Sequence, residues 1–305
     1  MFTKTRITIL FLVLGFLIPI AHSAPMPQRI SAETLAKAVI LLRHQTQAYE
    51  LKGGEQFEVW YKKVGQKEAY QPKLNTMYGT GFIIRHKEVA DYLVTAKHVA
   101  ENLPEGGELI MNVPTGKTIS INFGYMRKNP KFQGVRWFFH PSADIAIHPI
   151  LFPEKVDHDY FPSDRIPEND ESIPLLSTVY VLGFPLGLGV QDRLNPIAKK
   201  AQVASTITSL EALNLKKDLR FILLDEAFAQ GYSGAPVFYI EDVMALNTMP
   251  PIKVGEKVHL AGILSFQVSD KSGGKISVIV PISYLWQILH SADFIQYEKN
   301  IPFSQ

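Results

Sequence analysis

The chain has 305 residues, 46% of them hydrophobic, which is enough apolar side chain for a sizeable core. It contains no cysteine, which excludes disulfide staples, thiol nucleophiles and a lipid-anchored thiol. The formal charge of +2 belongs to Lys4 and Arg6 near the N-terminus, and the remainder carries 29 residues of each sign. No overall field therefore draws it to nucleic acid or acidic lipid.

Lys4 and Arg6 precede an apolar run, Ile7 to Ile20, and Ala21-His22-Ser23 follows with small residues at the two positions a signal peptidase reads. The run falls short of the roughly 20 residues a spanning helix needs. Residues 1–23 therefore read as an export signal, with the mature chain starting near Ala24 and no membrane attachment after cleavage. An exported chain without cysteine points to a bacterial periplasmic or secreted protein. Residues 24–56 are expected to form a helical extension: Ser31 is a cap, and Leu35, Val39 and Leu42 fall on one face of a helix running to about Gln47.

From Phe57 onward, short β-rich runs alternate with turn residues. The first set is Phe57–Val64, Tyr78–Ile84, Tyr92–Thr95, Leu109–Val113, Thr118–Tyr125 and Asp144–His148. The second is Val179–Leu182, Gln202–Leu210, Arg220–Leu224, Ala235–Ile240, His259–Phe266 and Lys275–Val280. Many short strands with turns between them indicate a sandwich or barrels. Pro149 to Pro174 is rich in Pro, Asp and Glu and reads as the link between two halves. Ile282, Leu285, Trp286 and Leu289 have helical spacing, and about fifteen residues follow them.

Gly231-Tyr232-Ser233-Gly234-Ala235-Pro236 bends a loop tightly around a serine hydroxyl. A free hydroxyl is a poor nucleophile and needs a base with a group to orient it. His98 follows the apolar run Tyr92–Thr95, and an imidazole fixed at a strand end accepts protons near neutral pH. Asp144 heads Asp-Ile-Ala-Ile, a carboxylate set against apolar residues, and burial there demands a partner such as His98 Nδ1–H. Asp157, Asp159, Asp164 and Asp170 lie in the polar link with no apolar strand behind them. The amides of Gly231 and Ser233 can face one space, and two such donors stabilise an oxyanion by very roughly 3 kcal/mol each in barrier height. Taken singly, each residue has a bland reading: a packed histidine, a turn aspartate, a glycine-rich turn.

Together, in the order His, Asp, Ser, the three segments resemble the chymotrypsin/trypsin-like serine peptidases, in their cysteine-free bacterial branch, over about Phe57 to Leu289. Val181-Leu182-Gly183-Phe184-Pro185 resembles that branch's Gly-x-Pro strand end. Ala261 to Phe266 resembles the strand beside the primary specificity pocket. The resemblance implies an all-β fold of two antiparallel β-barrels with an N-terminal and a C-terminal helix: a first barrel over 57–150, a connection over 151–177, a second barrel over 178–281, and a helix and tail over 282–305. It implies His98, Asp144 and Ser233 as a triad, Gly231 and Ser233 as oxyanion donors, and Ser265 as support for Asp144. Ser265, Phe266 and Gln267 would pair with the substrate main chain.

Three positions depart from the digestive enzymes of that family. Tyr232 replaces the aspartate used in zymogen activation. Lys97 stands before the histidine. Ala227 stands where Arg/Lys-cutting enzymes carry an acid, so Ala227 and Phe228 imply a small, apolar or shallow pocket. No metal site is read, since the nine histidines are scattered with no His-x-x-x-His pair. The chemistry needs no cofactor. Gly183 to Gly189 lacks a phosphate loop's Lys-Ser/Thr and reads as a loop near the cleft. The expected activity is serine endopeptidase hydrolysis of protein or peptide through an acyl-enzyme. A non-catalytic protein-binding module on the same scaffold, or an esterase, stands as the alternative.

Overall fold

The computed structural model describes residues 30–300 apart from 53–54, 59, 63–69, 88–89, 125–134, 151, 153–155, 171–172, 190–192, 210–218, 246–249 and 251. The expected export signal lies outside the described residues. Helix α1 (Ala32–Ala38) is capped by Ser31, whose hydroxyl accepts the Thr34 N–H at 3.0 Å. It ends after two turns. The expected helix to Gln47 is corrected: Val39–Gln47 is strand β1. Leu35, Val39 and Leu42 match a helical face, but Ile40 and Leu41 between them are equally apolar. All four residues from Val39 to Leu42 are buried, as in a central strand covered on both faces.

β1 pairs antiparallel with β6 (Leu74–His86) on one side and β8 (Glu108–Asn112) on the other. The stretch expected as a helical extension thus supplies the middle of the first sheet. Two small hairpins intervene, β2 (Tyr49–Lys52) with β3 (Glu55–Glu58) and β4 (Trp60–Lys62) with β5 (Tyr70–Pro72). With β7 (Ala90–Thr95), β9 (Thr118–Asn122), β10 (Phe138–Phe139) and β11 (Ala146–Ile150), the first sheet runs β10-β11-β7-β6-β1-β8-β9. A short β12 (Phe161–Pro162) pairs parallel to β6.

The second sheet has β13 (Thr178–Gly183), β14 (Ile197–Gln202), β15 (Ile222–Leu224), β16 (Pro236–Ala245), β17 (Ile252–Ser269) and β18 (Lys275–Pro281) in the order β14-β13-β16-β17-β18-β15. The strand expected over Gln202–Leu210 lies upstream instead. Among the described residues beyond Gln202, single bridges at Val203 and Thr208 continue it. Both sheets curl, so the chain is mostly β with a few helices. The C-terminal helix α3 (Ser283–Leu289) is followed by a further helix, α4 (Ala292–Asn300). α4 docks on the first sheet through buried Phe294 and through the Tyr92 hydroxyl, which donates to Glu298 at 3.1 Å. Among the described residues no helix is long and apolar enough to cross a membrane.

One core cluster runs through both halves, joining Phe82 and Phe161 of the first to Phe238, Leu260 and Val280 of the second. A second cluster, including Val179, Phe228, Tyr232 and Val237, fills the second sheet alone. Polar clamps fix the halves as well. The buried Asn112 side chain binds the Leu194 carbonyl at 2.8 Å and the Leu194 N–H at 2.7 Å, satisfying both faces of its amide.

Candidate active site

The base enters from the first half. β7 is buried toward its end, and the Thr95 hydroxyl donates to the Thr80 carbonyl at 2.7 Å, pinning that end to β6. Extended Ala96 then opens a five-residue helix, α2 (Lys97–Glu101), with His98 at its second position. Asp144 closes the turn between β10 and β11, where the sequence reading had placed it at a strand start. Its Oδ1 accepts the His98 backbone N–H at 2.9 Å, and its Oδ2 accepts His98 Nδ1–H at 2.8 Å. The Ser265 hydroxyl also donates to Oδ2. Burial alone would raise the Asp144 pKa. The His98 hydrogen bond and charge, the Ser265 hydroxyl and the His98 backbone N–H outweigh it and hold the carboxyl below its usual value. With the proton on Nδ1, Nε2 carries a lone pair, on a side chain 46% exposed.

The turn carrying Asp144 is shaped by His140, which is buried. Its Nδ1 accepts the Ser142 N–H at 3.2 Å and the Ala143 N–H at 2.8 Å, so its proton sits on Nε2, facing Gln287 Oε1 of α3 at 3.0 Å. Burial lowers the His140 pKa, the Gln287 bond opposes this, and Lys97 adds to it. Burial also lowers that of His86, against the raising influence of Glu298. A histidine with a depressed folded-state pKa resists protonation that the unfolded chain accepts. Stability is therefore full above the ordinary value of 6.5 and falls as pH drops below it toward the folded values. The unfolding free energy from urea titration is expected to fall between pH 7.5 and 5.5, by up to about 1.4 kcal/mol per group per pH unit, and His140→Gln should flatten that slope.

The hydroxyl enters from the second half. Two peptide planes matter, because C=O and N–H point opposite ways across a planar trans amide. The Gln230 carbonyl is held by the Leu186 N–H at 2.7 Å, which turns the Gly231 N–H the other way. The Tyr232 carbonyl is held by the Ala235 N–H at 2.8 Å, which does the same for the Ser233 N–H. Among the described residues neither N–H has an acceptor. Gly231 has φ +101°, and a Cβ there would strike the Phe184 carbonyl and lie 2.9 Å from the Leu186 nitrogen. Gly234 has φ +84° and leaves no room against Thr80 and Thr95. Both glycines are thus required by conformation and by space.

Ser265 links the two contributions. Between Leu264 and Phe266 the β17–β18 register shifts, a bulge that re-aims one residue. The Ser265 hydroxyl reaches Asp144, and its carbonyl accepts the Ser233 hydroxyl at 3.2 Å. One hydrogen-bonded chain thus runs His98–Asp144–Ser265–Ser233. In this conformation the Ser233 hydroxyl is turned to Ser265, and no bond to His98 Nε2 forms.

The residues expected around the pocket are placed differently from one another. Phe228 turns its ring into the second core, 5.2 Å edge-on to Tyr232, so it offers its carbonyl, which Gln267 Nε2 takes. The Ala227 carbonyl is taken by Lys199 Nζ, which also pairs with Glu226 at 3.0 Å. The Phe266 ring packs edge-on to Phe221 at 5.9 Å, leaving its backbone on the strand. Tyr232 is buried, and its hydroxyl donates to the Ile197 carbonyl at 3.2 Å. Lys97 lies over the Phe139 ring at 5.8 Å. Asp157 pairs with Lys37 and Arg193, and Asp170 with Arg220.

Sequence reasoning missed the roles of Thr80 and His140. Thr80 carried a signal, a threonine between two glycines of β6. His140 carried only its nearness to Asp144.

Two curled antiparallel sheets with a serine loop held against a histidine–aspartate pair define the class, a chymotrypsin-like serine peptidase. The trypsin-like peptidase domain family matches residues 79–243, more than half of the chain, and the chain belongs to that family. No curated protein matches it. Among solved structures it is similar to the HtrA-type protease AlgW with a decapeptide, at 16% identity and TM-score 0.49 over 87% of this chain and 66% of that one. Deg5 matches at 12% identity and TM-score 0.46, over 84% and 88% of the two chains. A scabies mite inactivated protease paralogue matches at 14% and 0.45, over 86% and 96%. The matched segment, and not these distant likenesses, assigns the family.

Proposed function

We propose that the chain is an exported serine endopeptidase that hydrolyses peptide bonds through an acyl-enzyme. Ser233 Oγ rotates from the Ser265 carbonyl toward His98 and attacks the scissile carbonyl. His98 Nε2 takes the hydroxyl proton and delivers it to the leaving amine. Asp144 keeps the proton on Nδ1 and stabilises the imidazolium. The N–H groups of Gly231 and Ser233 hold the oxyanion. Water then attacks the acyl carbon as it gives a proton to His98, and His98 returns that proton to Ser233 Oγ as the Oγ–C bond breaks and the acid leaves. The substrate chain pairs with Ser265 to Gln267. Ala227 offers no acid at that position, so the pocket for the side chain before the cut is small, apolar or shallow.

One observation supports this above others: beside two amide N–H groups that lack acceptors among the described residues lies a hydroxyl bonded to the Ser265 carbonyl, and the Ser265 hydroxyl in turn bonds Asp144, the partner of His98. A binding protein has no need of that combination. The test is a fluorophosphonate probe with peptide mapping of the label. Stoichiometric labelling at Ser233, blocked by heating, is expected. Absence of label in the folded protein favours the binding module, and turnover of p-nitrophenyl esters without cleavage of denatured casein favours the esterase.

A further inference from the structure

The side chain of Thr80 is fully buried on β6, in the first half of the molecule, yet its bonds go to the second. Its hydroxyl donates to the Gly231 carbonyl at 2.7 Å and accepts the Phe184 N–H at 3.1 Å. Its backbone N–H donates to the Ser233 carbonyl at 2.9 Å. Phe184 leads into the segment whose Leu186 N–H fixes the Gln230 carbonyl. One hydroxyl therefore ties together the two segments that aim the Gly231 amide: the loop that bears it and the loop that holds its neighbouring carbonyl. The site is buried and close-packed. A Cβ on Gly183 would lie 2.9 Å from the Thr80 hydroxyl.

We infer that Thr80 is a positioning residue for the oxyanion donors, holding the Gly231 amide in its productive orientation from across the interface between the halves. The inference rests on the proposed reading of Gly231 and Ser233 as those donors. Without the hydroxyl, the Gly231 carbonyl and the Phe184 N–H are left buried and unpartnered. The Gly231 carbonyl belongs to the peptide just after the Gly231 Cα, and the Phe184 N–H to the segment that carries Leu186, so a turn of either disturbs what aims the Gly231 N–H.

The test uses the whole mature chain. Thr80→Val keeps the shape and loses the hydroxyl, while Thr80→Ser keeps the hydroxyl and loses a methyl. Three readouts are needed: the second-order rate of Ser233 labelling by a fluorophosphonate, the fraction of protein that labels, and the dissociation constant of phenylboronic acid, whose tetrahedral serine adduct places an oxygen between the two amides. In Thr80→Val, labelling is expected to slow about 100-fold, the order lost with one oxyanion donor. Boronate binding should weaken by a similar factor while nearly all of the protein still labels. Thr80→Ser should stay within about threefold of the parent, the spread allowed for a bond that is kept.

A merely structural role would reduce the labelling fraction and leave the rate and boronate constant of the remainder unchanged. That result overturns the inference. So does a Thr80→Val rate within threefold of the parent, or a Thr80→Ser loss as large as that of Thr80→Val. If Thr80→Val does not fold, Thr80→Ala is judged by the same readouts, and failure of both to fold beside an intact Thr80→Ser also counts against it. A parent protein that neither labels nor binds boronate sinks the peptidase reading itself, which keeps the two failures distinct.

Discussion

Ser233→Ala is expected to abolish cleavage, by on the order of 10⁶-fold, while shifting unfolding stability by no more than about 0.5 kcal/mol. The two halves of that expectation have separate causes. The hydroxyl makes a single bond, 3.2 Å to the Ser265 carbonyl, on a part-exposed residue where water can replace it. The backbone on either side of it is held by bonds that do not involve the Ser233 side chain. The Ser233 carbonyl accepts the Thr80 N–H at 2.9 Å, the Gly234 N–H donates to the Leu264 carbonyl at 2.7 Å, and the Leu264 N–H returns to the Ala235 carbonyl at 2.9 Å. None of these needs the side chain. The proposed chemistry does, because its acyl bond forms on the Ser233 hydroxyl. Gel assay of denatured casein with a matched urea titration reads both quantities. Cleavage within tenfold of the parent would place the nucleophile elsewhere.

The catalytic candidates were legible because each carries a local mark: glycines on both sides of Ser233, an apolar strand before His98, an apolar run after Asp144. What supports them was not, since it is built from register and from contacts far apart in sequence. The Thr80–Gly231 bond joins residues 151 positions apart, and the Ser265–Asp144 bond joins residues 121 apart. Ser265 reaches Asp144 through a bulge, which no residue pattern announces. The His140 turn depends on a lone pair directed back at its own loop. The fold shows the same division. The alternation of short strands and turns gives two β halves, but β1 was read as helix because its buried first four residues, Val39 to Leu42, have no alternation to display. α4 was missed because most of it is polar, with Phe294 its one fully buried anchor.

Asp144→Asn is the second large effect, with turnover falling on the order of 10⁴-fold and little change in apparent substrate affinity. Every group facing the carboxylate is a donor: the His98 N–H on Oδ1, and Nδ1–H and the Ser265 hydroxyl on Oδ2. An amide has one oxygen and one NH₂, so it cannot accept on both sides. If the oxygen keeps the His98 backbone, the NH₂ faces Nδ1. The imidazole then sheds its Nδ1 proton to accept, Nε2 becomes the protonated nitrogen, and the base toward Ser233 is gone. If the amide flips, its NH₂ confronts the His98 N–H, and a part-buried donor loses its partner at a cost of about 1–3 kcal/mol.

Stability should report the same site from the acid side. The Asp144 pKa is depressed, so its contribution is complete above the ordinary carboxylate value of 3.8 and is lost as pH falls through the folded-state value. In Asp144→Asn that lowest-pH part of the unfolding curve should flatten, while the loss below 6.5 that arises from His86 and His140 persists. Single-turnover acylation by a p-nitrophenyl ester across pH gives the decisive reading. The parent should acylate at neutral pH with His98 as the base. The variant should be slow throughout and recover only where hydroxide replaces the missing base. A variant that acylates at the parent rate near neutrality would mean that the carboxylate holds the turn and takes no part in orienting His98.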